Sequence, residues 1–156
     1  MTTTAATANR PTRMDRGVNA AVRWLADRGI GLAGAQTLTV RGRRTGVPHR
    51  VPVNPLALDG RTYLVAPRGV TDWVRNVRVD PRAQVRRGRR VREVRLVELA
   101  DDPRKVQVLA AYLAKWGWEV GRLLPGALTV DADAETLRRH SALLPVFEIQ
   151  AVTGAD

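Results

Sequence analysis

The loop Gly42-Arg43-Arg44-Thr45-Gly46, with its exit Val47-Pro48-His49-Arg50, concentrates groups that could bind a ligand. Two glycines let a backbone turn sharply and bring its N–H groups close to a bound molecule. Two guanidiniums add forked donors and Thr45 adds a hydroxyl, a set that suits a phosphate. It is not a P-loop, because the spacing differs and no Lys-Ser/Thr pair follows the glycines. The same residues also read as a solvated β-turn with arginines for solubility, and His49 is ambiguous. A second group starts at Ala66-Pro67-Arg68-Gly69 and runs on to Trp73 and Asn76. Trp73 and Asn76 lie three apart and would share one face of a helix. Trp73 could then cover a planar ring while Asn76 and Arg68 hold an anion. The plainer alternative makes Trp73 core and Asn76 a cap.

Other chemistries are excluded by composition. The chain has no cysteine, which removes disulfides, thiolate metal sites and cysteine nucleophiles. Ser141 is the only serine and does not lie in a nucleophile elbow. His49 and His140 are far apart, no metal-binding motif occurs, and no protein-held metal is expected. His140, near an expected helix C-terminus, reads as a partner of the helix dipole. Trp116 and Trp118 flank Gly117, and in a chain with so few aromatic residues they could line an apolar pocket or simply pack in the core. An enzyme made of these residues would take its reaction from a bound cofactor.

Charge narrows the partner. The 156 residues carry a net charge of +11. Residues 41–95 hold fifteen arginines against Asp59, Asp72, Asp80 and Glu93, and the remainder of the chain sums to zero. A localised excess of this kind predicts an anionic partner: nucleic acid, a membrane surface or a phosphorylated small molecule. Arg86-Arg87-Gly88-Arg89-Arg90 looks like a nucleic-acid patch, yet it sits at a hairpin tip and no aromatic residues interleave with it to stack bases. Nucleic acid is therefore the weaker reading.

These groups need a scaffold, and the pattern predicts one. Residues 1–13 show no apolar period and read as a flexible tail before a single domain over 14–153. Met14, Val18, Ala21, Val22 and Leu25 recur at helical spacing. Strands are expected over Gln36–Arg41, Arg50–Leu58 and Arg61–Ala66, the last two joined at Asp59-Gly60, a strong hairpin signal. A short helix over 71–79 follows, then a hairpin of Arg82–Arg87 and Arg89–Leu99 about Gly88. Asp102-Pro103 starts a helix with Val106, Leu109, Ala110 and Leu113 on its inner face. Asp131–Arg139 begins acidic and ends basic, as a short helix would, and Val146–Val152 is the last strand. The result is an α+β fold: about six mostly antiparallel strands, closed or partly closed, with helices packed outside. No apolar run is long enough to span a bilayer.

The ordered segments Leu38–Gly46, Pro52-Val53-Asn54-Pro55-Leu56, Asp59-Gly60, Tyr63–Gly69 and Trp73-Val74-Arg75-Asn76 together resemble the deazaflavin-dependent nitroreductase family, as do Ala111-Tyr112-Leu113, Trp116–Gly121 and Pro145-Val146-Phe147. The resemblance covers about residues 36 to 150. It implies a split β-barrel related to flavin-binding oxidoreductases, and coenzyme F420 as cofactor, with FMN as the alternative. It implies that Arg43, Arg44 and Thr45 hold the anionic tail and phosphate, with His49 or Arg50 extending that wall. Ala66, Pro67, Arg68, Trp73 and Asn76 would hold phosphate and flank the ring, beside Pro52 and Asn54. The acceptor pocket would involve Tyr112, Trp116 and Trp118, where better-known members have several tyrosines, with Tyr112 a candidate proton donor. The implied reaction is hydride transfer from reduced F420 to a quinone, enone or nitroaromatic in the cytoplasm. A homodimer, and a membrane contact through the arginines that would suit lipid quinones, stay open.

Overall fold

The structure, a computed structural model, describes residues 36–152. The tail over residues 1–13 and the helix expected from Met14 to Leu25 lie outside the described residues. Seven strands form one sheet: β1 (Gln36–Arg41), β2 (Pro48–Val53), β3 (Leu56–Leu58), β4 (Arg61–Val65), β5 (Arg82–Arg87), β6 (Arg90–Glu98) and β7 (Val146–Ala151). Three helices accompany them: α1 (Asp72–Val79), α2 (Pro103–Val120) and α3 (Ala134–His140). Every strand pair is antiparallel, in the order β2-β1-β5-β6-β7-β4-β3.

The expected six strands become seven because Arg50–Leu58 is not one strand. It breaks at Asn54-Pro55, where proline supplies no N–H to a ladder. The two halves then pair at opposite edges of the sheet, β2 with β1 and β3 with β4. This break also curls the sheet. In a flat seven-stranded sheet the edge strands would lie about 29 Å apart. Three Cα steps from Val53 to Leu56 span at most about 11 Å. The sheet must therefore curl until its edges nearly meet. The Asp59-Gly60 hairpin forms as expected, with φ of +51° and +74° at the two turn residues, as a type I′ turn requires.

Strand alternation separates two cores. Leu38, Val40, Val85, Val94, Leu96, Leu64 and Phe147 point into the barrel, where Val74 and Val77 of α1 meet them. Tyr63, Val65 and Val146 point outward into a second core with Leu109, Tyr112 and Leu113 of α2 and Leu137 of α3. Strands β4 and β7 are thus buried on both faces. Asp102 caps α2 by accepting from the Lys105 N–H at 3.1 Å, and Asp133 caps α3 by accepting from the Thr136 N–H at 2.8 Å. The inner face of α2 is rotated from the expected one: Val108 and Tyr112 are buried, whereas Ala110 is exposed and Val106 half-buried. The large apolar body of Tyr112 packs into the outer core and sets this face.

Candidate functional site

Arg41 and Pro48 are register partners, so the loop 42–47 joins β1 to β2 at one end of the barrel. Within it the Gly42 N–H donates to the Val47 carbonyl and the Gly46 N–H to the Gly42 carbonyl, both at 2.9 Å. The Val47 N–H donates to Thr45 Oγ1 at 3.2 Å. Gly42 is needed for space: a Cβ there would stand 2.8 Å from His49 Nε2 and 3.0 Å from the Val47 oxygen. The register separates His49 from Arg50. His49 pairs with Val40 on the inner face and lies against the loop, whereas Arg50 and Pro52 pair with Thr39 and Thr37 on the outer face.

Helix α1 fixes this loop. Asn76 is buried, and its Oδ1 accepts both the Arg43 N–H at 3.1 Å and the Arg43 guanidinium at 2.9 Å. Asp72, one turn earlier, accepts from the same guanidinium at 3.3 Å. Asn76 is therefore not a helix cap, and its Oδ1 is committed to Arg43. Arg43 is turned inward as a brace, while Arg44 is exposed and has no carboxylate partner among the described residues. The exposed Arg68 is likewise unpaired. It lies in a turn that Gly69 closes by donating to the Ala66 carbonyl at 3.0 Å, with Pro67 at the corner. That turn leads directly into α1, so one short helix connects both cationic groups. Thr71, at the N-cap of α1, keeps its Oγ1 buried with no hydrogen-bond partner among the described residues. Trp73 is half-buried over the inner core, its ring centroid 5.5 Å from that of Phe147 and tilted 51°.

The residues expected around the acceptor separate. Tyr112 is 2% exposed in the outer core. Burial first, and then the charge of Glu119, push its hydroxyl pKa far above the ordinary tyrosine value. Trp116 is half-buried, with Lys115 Nζ 5.2 Å from its ring centroid. Trp118 is 73% exposed, its indole N–H donating to the Lys115 carbonyl at 3.1 Å. Two residues on a helix point about 200° apart, so Trp116 and Trp118 cannot wall the same side of one pocket.

Two residues that sequence reasoning missed belong to this framework. Asp72 stands four residues before Asn76, a helical spacing that could have flagged a joint role. Glu119 is buried, and its Oε1 accepts from Asn54 Nδ2 at 3.2 Å. This bond ties the linker between the two sheet edges to the end of α2. Glu119 follows Tyr112 and Trp116 at helical spacing, and an acid on an apolar face was its only signal. Among the described residues, no group of three or more His, Cys, Asp or Glu side chains could hold a metal, and no helix is long and apolar enough to cross a membrane.

A curled antiparallel sheet with a linker joining its edges and helices outside defines a split β-barrel protein. Two of the solved structures similar to this chain agree on the fold. An FAD-binding protein from Mesorhizobium loti is 20% identical and superposes with a TM-score of 0.52, covering 82% of this chain and 89% of that one. HutZ, the haem storage protein of Vibrio cholerae, is 11% identical with a TM-score of 0.53, covering 92% and 93%. An F420H2-dependent reductase, FDR-A, is 22% identical with a TM-score of 0.47, covering 75% and 94%. No curated protein matches by sequence. The model of the F420H2-dependent quinone reductase family matches residues 13–126, and the chain belongs to that family.

Proposed function

We propose that the protein binds reduced coenzyme F420 at the end of the barrel formed by the 42–47 loop, the Ala66–Gly69 turn and α1, and reduces a quinone there. The observation that carries this reading is the family match over residues 13–126. The donor set fits such a cofactor: Arg44 and Arg68 are exposed cations with no ion-pair partner among the described residues, suited to a phosphodiester and a carboxylate tail. The orphaned Thr71 hydroxyl at the start of α1 offers a further polar contact beside them. When bound, the deazaflavin supplies the hydride.

The chain's own residues do the rest. Arg44 and Arg68 anchor the anionic groups. Asn76 and Asp72 hold Arg43, which sets the shape of the loop. Trp73 provides an apolar wall at the mouth of the inner core. Tyr112, buried and hard to ionise, does not serve as the acid, and the acceptor takes its proton from solvent. Quinones are the acceptor class that the family name supports. Nitroaromatics and enones are secondary substrates in this reading, and a homodimer is its expected assembly.

The test is a binding titration of reduced F420 followed by addition of menaquinone, with the return of oxidised deazaflavin absorbance as readout. Arg44→Ala with Arg68→Ala should weaken cofactor binding about tenfold or more, with a smaller salt dependence than the parent. Tight FMN binding without F420 binding would overturn the proposal.

A further inference from the structure

The charge excess is not all at the loop end. Arg86, Arg87, Arg89, Arg90, Arg92 and Arg95 crowd the β5–β6 hairpin, and none has an ion-pair partner among the described residues. Strand register sorts them by face. Val85 is buried in the barrel, Arg92 is its cross-strand partner, and Arg87 pairs with Arg90 two residues along. Arg87, Arg90 and Arg92 therefore share the inner face. Arg86 and Arg95 point to the outer face, and Arg89 lies in the turn. The inner three, with Gln36 and Val85, line a depression of about 290 Å³.

This arrangement is unfavourable without a ligand. Arg87 and Arg90 stand directly opposite each other, and like charges across a ladder destabilise it. Among the described residues, no carboxylate lines the depression. The one acid in the middle of β6, Glu93, pairs with Gln84 on the outer face and is hydrogen-bonded to it. Gln36 contributes an amide able to donate beside three forked cations.

We propose that Arg87, Arg90, Arg92 and Gln36 form an anion site for a phosphate group, either of a soluble phosphate ester or of a lipid headgroup. It lies at the other end of β1 from the 42–47 loop, about 17 Å away along the strand, and does not depend on the reductase reading. The three arginines line one small concavity, an arrangement that favours a compact, multiply charged oxyanion over diffuse negative charge. An anion seated between Arg87 and Arg90 converts their repulsion into attraction.

The test compares two triple variants of the full chain that remove equal charge. Both carry Arg44→Ala and Arg68→Ala, so that the loop end adds no signal. Arg87→Gln, Arg90→Gln, Arg92→Gln alters the inner face, and Arg86→Gln, Arg89→Gln, Arg95→Gln the outer face and tip. Calorimetric titration with pyrophosphate at low ionic strength should show saturable binding, weakened about tenfold or more by the inner triple and less than about twofold by the outer one. Co-sedimentation with phosphatidic acid vesicles separates the sources. Vesicle binding that pyrophosphate competes away identifies a lipid headgroup, and pyrophosphate binding without vesicle binding identifies a soluble ester. No saturable pyrophosphate binding, or equal losses in the two triples, would overturn the proposal. Circular dichroism should show both variants folded, since all six side chains are exposed.

Discussion

The two ends of strand β1 carry similar arginine-rich sequences and treat them in opposite ways. At the 42–47 end, Arg43 is held by a buried amide and a carboxylate of α1, and Arg82 nearby is paired with Asp80. At the β5–β6 hairpin end, three arginines face a depression that no carboxylate lines among the described residues. The first end spends part of its charge on shaping itself, and the second holds its charge free. Arginine content alone would rank the two alike. Their partners distinguish a positioned loop from an unsatisfied cationic cluster.

Replacing Asn76 should give the largest effect. Asn76→Ala strips the Arg43 N–H and guanidinium of their shared acceptor in a buried setting, and should lower stability by about 2 kcal/mol. Chemical denaturation checks this, and reduced F420 affinity should fall with it. A stability change as small as that of Arg87→Gln would remove the contrast between the ends. Gly42→Ala should come next, at about 1–2 kcal/mol, because its Cβ presses on His49 and on the Val47 carbonyl. Adding His49→Ala should restore only part of the loss, since the backbone oxygen stays in place.

Acid titration sharpens the contrast further. The Asp80 carboxyl is held below the ordinary aspartate value by hydrogen bonds from the Arg82 side chain and backbone, helped by the charges of Arg82 and Arg41. Its contribution is present above the unfolded aspartate pKa, near 3.9, and is lost as pH falls through the lower folded value. Asp80→Asn should therefore flatten part of the acid limb of the stability–pH curve, whereas Arg87→Gln with Arg90→Gln should leave that limb unchanged. The smallest effect belongs to the hairpin itself. Arg87→Gln with Arg90→Gln should shift apo stability by no more than about 0.5 kcal/mol, upward at low salt, and the gain should vanish as salt screens the repulsion.

Much of the scaffold was legible. Period-two alternation gave the strands, Asp59-Gly60 the type I′ turn, and Asp102-Pro103 the start of α2. These are local signals, set by backbone sterics and capping within a few residues. Two misreadings came from information that no local window holds. Arg50–Leu58 reads as one strand until its halves are seen to pair at opposite sheet edges. Trp116 and Trp118 read as a pair until the helical angle between them, and the neighbours on each side, send one toward the core and one to solvent. At the site, Gly42, Arg43, Arg44, Arg68, Trp73 and Asn76 could all be named as candidates. That Asn76 acts by holding Arg43 could not be read, since 33 residues separate them.

The sequence by itself determined that this chain would fold around one antiparallel sheet, would carry its excess charge between residues 41 and 95, and would need a bound group for redox chemistry. Side-chain periodicity, charge and the absence of cysteine are properties of the chain in any conformation. Only the tertiary structure decided which arginines are braces and which are free. A guanidinium is always charged, and its role depends on what faces it across strands and helices that the chain brings together only when folded.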